Sequence, residues 1–108
     1  MTPRRGELWW VSLDPTLGSE IRKTRPCVVM GTNVLNERRR TVVVVPLSSG
    51  SQAAPPLLVP VVCAGRRAVA VIDQVRAVTK ERFTRRLGEL SPEELAAVED
   101  GLRLVLEL

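Results

Sequence analysis

The sequence predicts a mainly-β fold: a small, strongly curved sheet or barrel with one helix at its C-terminal end. Two observations predict it. Up to residue 75, short apolar runs rich in β-branched residues alternate with polar, turn-rich segments. After residue 90 the period becomes helical, behind a full set of helix-start signals. Short strands with one closing helix are stable when the sheet curls on itself and the helix covers its open face. At 108 residues the chain is read as one domain, long enough to bury a core without disulfide staples.

The first predicted strand, residues 8–13, is short and carries both tryptophans. Strand alternation turns at least one of them into the core. A second strand is predicted at 26–31. The third, at 41–47, holds four successive valines, the pattern of a strand buried on both faces. A fourth is predicted at 57–63, where Pro60 removes a backbone donor and demotes it to an edge or a bulge. The fifth spans 68–75, and Ala64-Gly65-Arg66-Arg67 forms a hairpin turn before it. The segments at 14–24, 32–40 and 48–56 read as loops, from their Pro, Gly, Ser and Asn content and lack of apolar period.

The helix has Ser91 as its N-cap, Pro92 at the first helical position and Glu94 completing a capping box. Leu90 and Leu95 occupy the staple positions. Leu95, Val98, Leu102 and Val105 form one stripe at helical spacing, predicted to pack on the sheet. Leu104, Leu106 and Leu108 exceed what one stripe needs and would cover a neighbouring surface or a second subunit.

Composition removes several function classes. There is no histidine, which excludes histidine acid–base pairs, Ser-His-Asp triads and almost every zinc site. Cys27 and Cys63 lie 36 residues apart inside apolar runs and are expected as buried free thiols. Asp14, Glu20 and Asp73 match no metal motif, and no phosphate-binding glycine loop is present. No cofactor or metal is expected. The chain has no apolar N-terminal run and no stretch near the ~18 apolar residues of a membrane span. A cytoplasmic protein without a signal peptide or membrane contact is therefore expected.

The charge is uneven. Residues 1–90 carry a net +8 and residues 91–108 a net −4, and fourteen of the sixteen cations are arginine. An arginine-rich body suits an anionic partner, nucleic acid first, because the planar guanidinium matches phosphate and base edges. A GC-rich genome produces the same bias without any such partner. Polar residues at strand ends are the candidate chemistry. Arg25 enters a strand before Pro26, Ser48 and Ser49 leave the valine strand, and Asp73 and Gln74 interrupt the fifth strand. Each has a plainer reading. Arg25 pairs with Glu20, the serines form a turn, and Asp73 and Gln74 face solvent on an edge. The run Arg38–Arg40 reads either as a phosphate-attracting patch or as a solvated loop.

The order and spacing of these segments resemble the MazF/PemK-type toxins of bacterial type II toxin–antitoxin systems. The likeness begins at Arg5-Gly6-Glu7-Leu8-Trp9. It continues through Asp14-Pro15, Gly18-Ser19-Glu20 and Lys23-Thr24-Arg25-Pro26. It resumes in Val43-Val44-Val45-Pro46-Leu47-Ser48-Ser49 and Asp73-Gln74-Val75-Arg76, and ends in the helix. The resemblance implies an SH3-like small barrel of the MazF/CcdB plasmid-maintenance type, assembled as a homodimer. It implies a metal-independent, sequence-specific endoribonuclease acting on single-stranded RNA. It also implies neutralisation by a cognate antitoxin with an acidic flexible tail, the pair binding operator DNA through the antitoxin.

The family's catalytic arginine falls on Arg25. Its catalytic threonine falls on Ser48, which keeps the hydroxyl and loses a methyl, and with it some rotamer restriction. The same matching places Arg5, Ser19, Glu20, Asp73 and Gln74 on the RNA, and Leu17 and Ser49 join them as expected contacts. RNA brings its own nucleophile, the 2′-hydroxyl. Arg25 and Ser48 need only hold and stabilise the phosphate, giving 2′,3′-cyclic phosphate and 5′-hydroxyl ends. Arginine is a poor general base. Either Arg25 serves as general acid, or it acts electrostatically and Glu20 or the phosphate takes the proton. Two other functions fit the same fold: a CcdB-like gyrase poison acting through protein contacts, and a degenerate toxin kept as a regulatory dimer.

Overall fold

The computed structural model describes residues 2–13 and 24–108. In chain order the elements are β1 (Glu7–Ser12), β2 (Thr24–Val29), α1 (Asn33–Arg38), β3 (Thr41–Ser48), β4 (Leu58–Cys63), β5 (Arg66–Val71), β6 (Arg76–Thr79), β7 (Phe83–Glu89) and α2 (Pro92–Leu106). Short 3-10 turns at Ile72–Gln74 and Lys80–Arg82 separate the strands on either side of β6. The strands form one curved antiparallel sheet in the order β4-β5-β3-β2-β1-β7, with β6 also paired to β3. The result is a half-barrel with a C-terminal helix, in line with the expected curved sheet or barrel closed by a helix.

β3 bends the sheet. Its N-terminal half, Thr41 to Val44, pairs with β6, whereas Leu47 and Ser48 pair with β5. The 3-10 turn Ile72–Gln74 carries the chain from one partner strand to the other. Because strand side chains alternate, β1, β2 and β3 feed two cores. Leu8, Val28, Val45 and Leu47 pack with β4, β5 and Val98 of α2. Trp9, Val11, Cys27, Val29, Val42 and Val44 pack with Val78 of β6 and Phe83 of β7. Three of the four valines are fully buried, and Val43 is the exception at 38% exposed.

The helix starts as predicted. The Ser91 hydroxyl accepts from the Glu94 backbone N–H at 3.1 Å, and Glu94 accepts from the Ser91 N–H at 2.9 Å. The second Glu94 oxygen accepts from the Val62 N–H of edge strand β4 at 2.7 Å, so one carboxylate ties helix to sheet. Pro60 indeed lies on that edge strand. Gly101 faces Pro56 and Ile72, and a Cβ there would stand 2.8 Å from the Pro56 carbonyl oxygen. Leu104, Leu106 and Leu108 are exposed.

Four elements depart from the sequence expectation. Residues 33–38, expected in a loop, form α1, capped by Thr32 and held by the buried Asn36 amide, which donates to the Gly31 carbonyl at 3.0 Å. Six residues are too few to display a helical period, and Val34 and Leu35 point outward. β6 and β7 were not expected. β7 pairs through its backbone with β1, and no residue of it is fully buried, so it lacks the apolar alternation that marks a strand. The predicted strand at 68–75 instead begins at Arg66 and ends at Val71. Ala64 and Gly65 alone make the turn, both at positive φ, the conformation that fits a two-residue hairpin to strand twist.

Candidate active site

The second core runs out at one end of β3. Val42 and Val44 are covered by β6 and Phe83, Pro46 two residues further on the same face is still buried, and Ser48 four residues further is half-buried. Opposite them on β2, Cys27 pairs with Pro46, and Arg25 lies two residues beyond Cys27 on the same face. The alternation that builds the core thus delivers a guanidinium and a hydroxyl to its open end. Both side chains are half-buried and stand on strands rather than loop tips.

Two clefts meet at this point. One, of about 440 Å³, is lined by Trp10, Thr24, Arg25, Pro26, Ser48 and Ser49 among others. The other, of about 330 Å³, is lined by Leu13, Arg25, Ser48, Ser51, Gln74 and Arg76 among others. Arg25, Leu47 and Ser48 belong to both. Trp10 is 36% exposed at the rim of the first cleft, whereas Trp9 is 4% exposed and meets Phe83 edge-on at 5.9 Å. Trp9 is thus the tryptophan in the core, and Trp10 stands at the cleft.

The remaining candidates divide. Gln74 and Ser49 each line one of the two clefts. Asp73 is exposed on the 3-10 turn and lines neither. Arg5 is not brought here. Its guanidinium donates to the Met30 carbonyl and to the Glu99 carboxylate of α2, fastening the N-terminal segment to the helix. Leu17, Ser19 and Glu20 lie outside the described residues, as does any pairing of Arg25 with Glu20. Arg38 ends α1, Arg39 and Arg40 follow it, and none of the three lines either cleft. Arg76 ends the Asp73-Gln74-Val75-Arg76 segment of the resemblance but carries no expected role in it. The β3–β6 pairing is what brings it to this face.

Electrostatics agree with this geometry. Burial pushes the Cys27 thiol up to about 12, against the opposing pull of Arg76 and Arg25. Cys27 and Cys63 are both free and buried. Among the described residues, no carboxylate forms an ion pair with Arg25 or Arg76. No three His, Cys, Asp or Glu side chains among the described residues are grouped to hold a metal ion. No helix among them is long and apolar enough to cross a membrane.

Residues 4–106 match the family described as the PemK-like, MazF-like toxin of type II toxin–antitoxin systems. The chain is 35% identical to Endoribonuclease MazF9 of Mycobacterium tuberculosis, over 97% of each chain. It is 33% identical to the Endoribonuclease toxin MazF of Escherichia coli K12, over 96% of this chain and 94% of that one. Among solved structures, a MazE–MazF complex from Deinococcus radiodurans superposes with a TM-score of 0.87 at 24% identity, covering 100% of this chain and 98% of that one. A mycobacterial endoribonuclease in complex with its cognate antitoxin gives 0.82 at 21%, covering 98% and 96%. At those identities the structural likeness is one of fold.

Proposed function

Because the chain belongs to the family of PemK-like, MazF-like toxins of type II toxin–antitoxin systems, we propose that the paired clefts around Arg25 and Ser48 are where it cuts single-stranded RNA. The chain is an endoribonuclease toxin, like its full-length relatives, and an antitoxin is its partner. One observation carries the assignment of the site: Arg25 and Ser48 converge at the junction of two clefts, on rigid strands, with no described carboxylate ion-paired to the guanidinium.

The scissile phosphate sits at that junction. The 2′-hydroxyl on its 3′-linked ribose attacks phosphorus, the bond to the 5′-oxygen breaks, and a 2′,3′-cyclic phosphate and a 5′-hydroxyl result. Arg25 offers a forked pair of donors to the phosphate oxygens, where charge grows in the transition state. The Ser48 hydroxyl donates one more. The 2′-hydroxyl proton passes to Glu20 or to a phosphate oxygen, and the leaving oxygen gains its proton from Arg25 or from water. No step in this scheme needs a metal. Trp10 presents a ring face to a splayed base, the usual way single strands are held, and Gln74 reads a base edge from the other cleft.

Around this centre, Ser19, Glu20 and Asp73 are the further RNA contacts that the family resemblance supports, and Leu17 and Ser49 join them as loop and strand-end contacts. The free toxin acts as a cytoplasmic homodimer. An acidic antitoxin segment neutralises it by taking the place of RNA against Arg25, and the complex meets operator DNA through the antitoxin. The endoribonuclease relatives, the family arginine at Arg25 and the hydroxyl kept by Ser48 speak against the gyrase-poison and degenerate readings.

The test is incubation with a long single-stranded RNA in excess EDTA, with fragment ends sequenced, beside Arg25→Ala and an oligonucleotide carrying deoxyribose at the cut. Cleavage at one short motif, absent from both controls, is the expected result. Cleavage by Arg25→Ala, or only with added metal, would overturn the mechanism.

A further inference from the structure

We propose that Arg76 is a second phosphate anchor: it binds the phosphodiester next to the scissile one, so the site grips two consecutive linkages of one RNA strand. This rests on the functional reading above and adds a residue and a ligand group to it.

The placement comes from strand pairing. Arg76 opens β6 directly opposite Val44 of β3, and residues opposite each other in an antiparallel pair share a face. That face continues along β3 to Pro46 and Ser48, and on β2 through Cys27 to Arg25. Arg76 and Arg25 line the same cleft and both act on the same buried thiol, that of Cys27. Two like charges held towards one cleft repel each other, and no described carboxylate forms an ion pair with either. An anion between or beside them relieves that repulsion.

One phosphate does not satisfy both. Arg25 and Ser48 line both clefts, whereas Arg76 lines only the cleft that contains Gln74. The reacting phosphate belongs where the clefts meet, and Arg76 stands to one side of that point. A single-stranded RNA that crosses the junction must lay its next phosphate in one of the two clefts. The cleft with Gln74 and Arg76 offers a base-edge reader beside a cation, which are the two groups one nucleotide presents. Arg76 is also exposed, so it meets RNA without first giving up a buried contact.

Salt dependence tests this directly. The probe is an uncleavable oligonucleotide with the cut motif and deoxyribose at the cut. Each phosphate neutralised by the protein contributes about 0.7 to the slope of log affinity against log salt for a single strand. Arg76→Gln should make the slope shallower by about 0.7, while Arg76→Lys restores it. Arg103→Gln, on the exposed face of α2, should leave it unchanged. Methylphosphonate linkages placed one at a time then locate the contact. Neutralising a linkage adjacent to the cut should weaken wild type and have no further effect on Arg76→Gln. An unchanged slope with Arg76→Gln, or coupling at the scissile linkage, would overturn the proposal while leaving cleavage by wild type intact. If wild type neither binds nor cuts, the functional reading fails and this proposal fails with it. Thermal melts of each variant establish that a lost slope is not a lost fold.

Discussion

The two halves of β3 make an instructive pair. In the first half, Val42 and Val44 are sealed by Val78 of β6 and by Phe83. In the second half, Pro46 on the same face is still buried at the floor of the cleft, and the cleft opens over Ser48. The alternation is the same in both; the partner strand changes from β6 to β5, and with it the cover. Where cover is complete the face must be apolar, because an unpaired buried polar group costs several kcal/mol. Where cover ends, the same face can present a guanidinium and a hydroxyl, held by a strand whose position the sealed half has already set. The open half thus takes its rigidity from its neighbour and supplies the chemistry. Mutations should therefore separate: activity without stability at one end, stability without chemistry at the other.

The largest effect should fall at the open end. Arg25→Ala should lower the cleavage rate by about 10³-fold or more, the scale on which one preorganised charge-stabilising donor contributes. The melting temperature should stay within a few degrees of wild type, since no described ion pair or hydrogen bond of the Arg25 side chain holds the fold. A melt that collapses alongside activity would erase the distinction between the two halves.

The sealed end should behave in the opposite way. Val44 is fully buried, and Val44→Ala removes two methyl-sized groups with little room for collapse. The expected cost is roughly 2–3 kcal/mol, read as a fall of about 10–15 °C in melting temperature. The cleavage rate per folded molecule should be unchanged at a temperature where the variant is still folded. A slowed rate in fully folded protein would mean that the core tunes the site rather than merely supporting it.

How far each half could be read from the sequence follows the same line. The sealed strands were legible because burial on both faces demands runs such as Val42–Val45. The helix was legible because Ser91, Pro92, Glu94 and the Leu90–Leu95 pair all signal one start. β7 was not, since an edge strand held by backbone bonds to β1 needs no apolar pattern. At the open end, Arg25 and Ser48 stood out through their resemblance to a family pattern and their places at strand ends. Arg76 lies in the Asp73–Arg76 segment of that pattern, but its place at the cleft depends on a pairing between strands that no local signal encodes. Arg5 shows the converse. It matches the family pattern by position, yet its guanidinium is held by Glu99, 94 residues away in sequence.

Ser48 sharpens the comparison at smaller scale. Ser48→Ala removes one donor to a charged phosphate, a bond of about 1.5–3 kcal/mol, so the rate should fall by roughly 10- to 100-fold. Ser48→Thr keeps the hydroxyl and adds a methyl that restricts its rotamers, and should retain or raise the rate. Equal rates for Ser, Thr and Ala, measured on the same RNA under single-turnover conditions, would remove Ser48 from the chemistry and leave Arg25 alone at the junction.

The smallest effect belongs to the sealed end and depends on pH. Burial on its own would raise the pKa of Glu7. The Trp9 indole N–H at 2.9 Å, the Arg4 backbone N–H and the Arg86 guanidinium outweigh it and hold the carboxyl below its ordinary 4.5. A carboxyl whose pKa is lower in the folded state contributes stability above the unfolded value, lost as pH falls through the folded one. Glu7 anchors Trp9, whose ring packs on Phe83, and ties β1 to β7 through Arg86. Glu7→Gln should thus melt slightly below wild type at pH 7, and the gap should close as pH falls below 4.5. A gap that stays constant across that window would mean that Glu7 acts by shape alone. In that case the seal over Trp9 would be held by packing, with no electrostatic contribution.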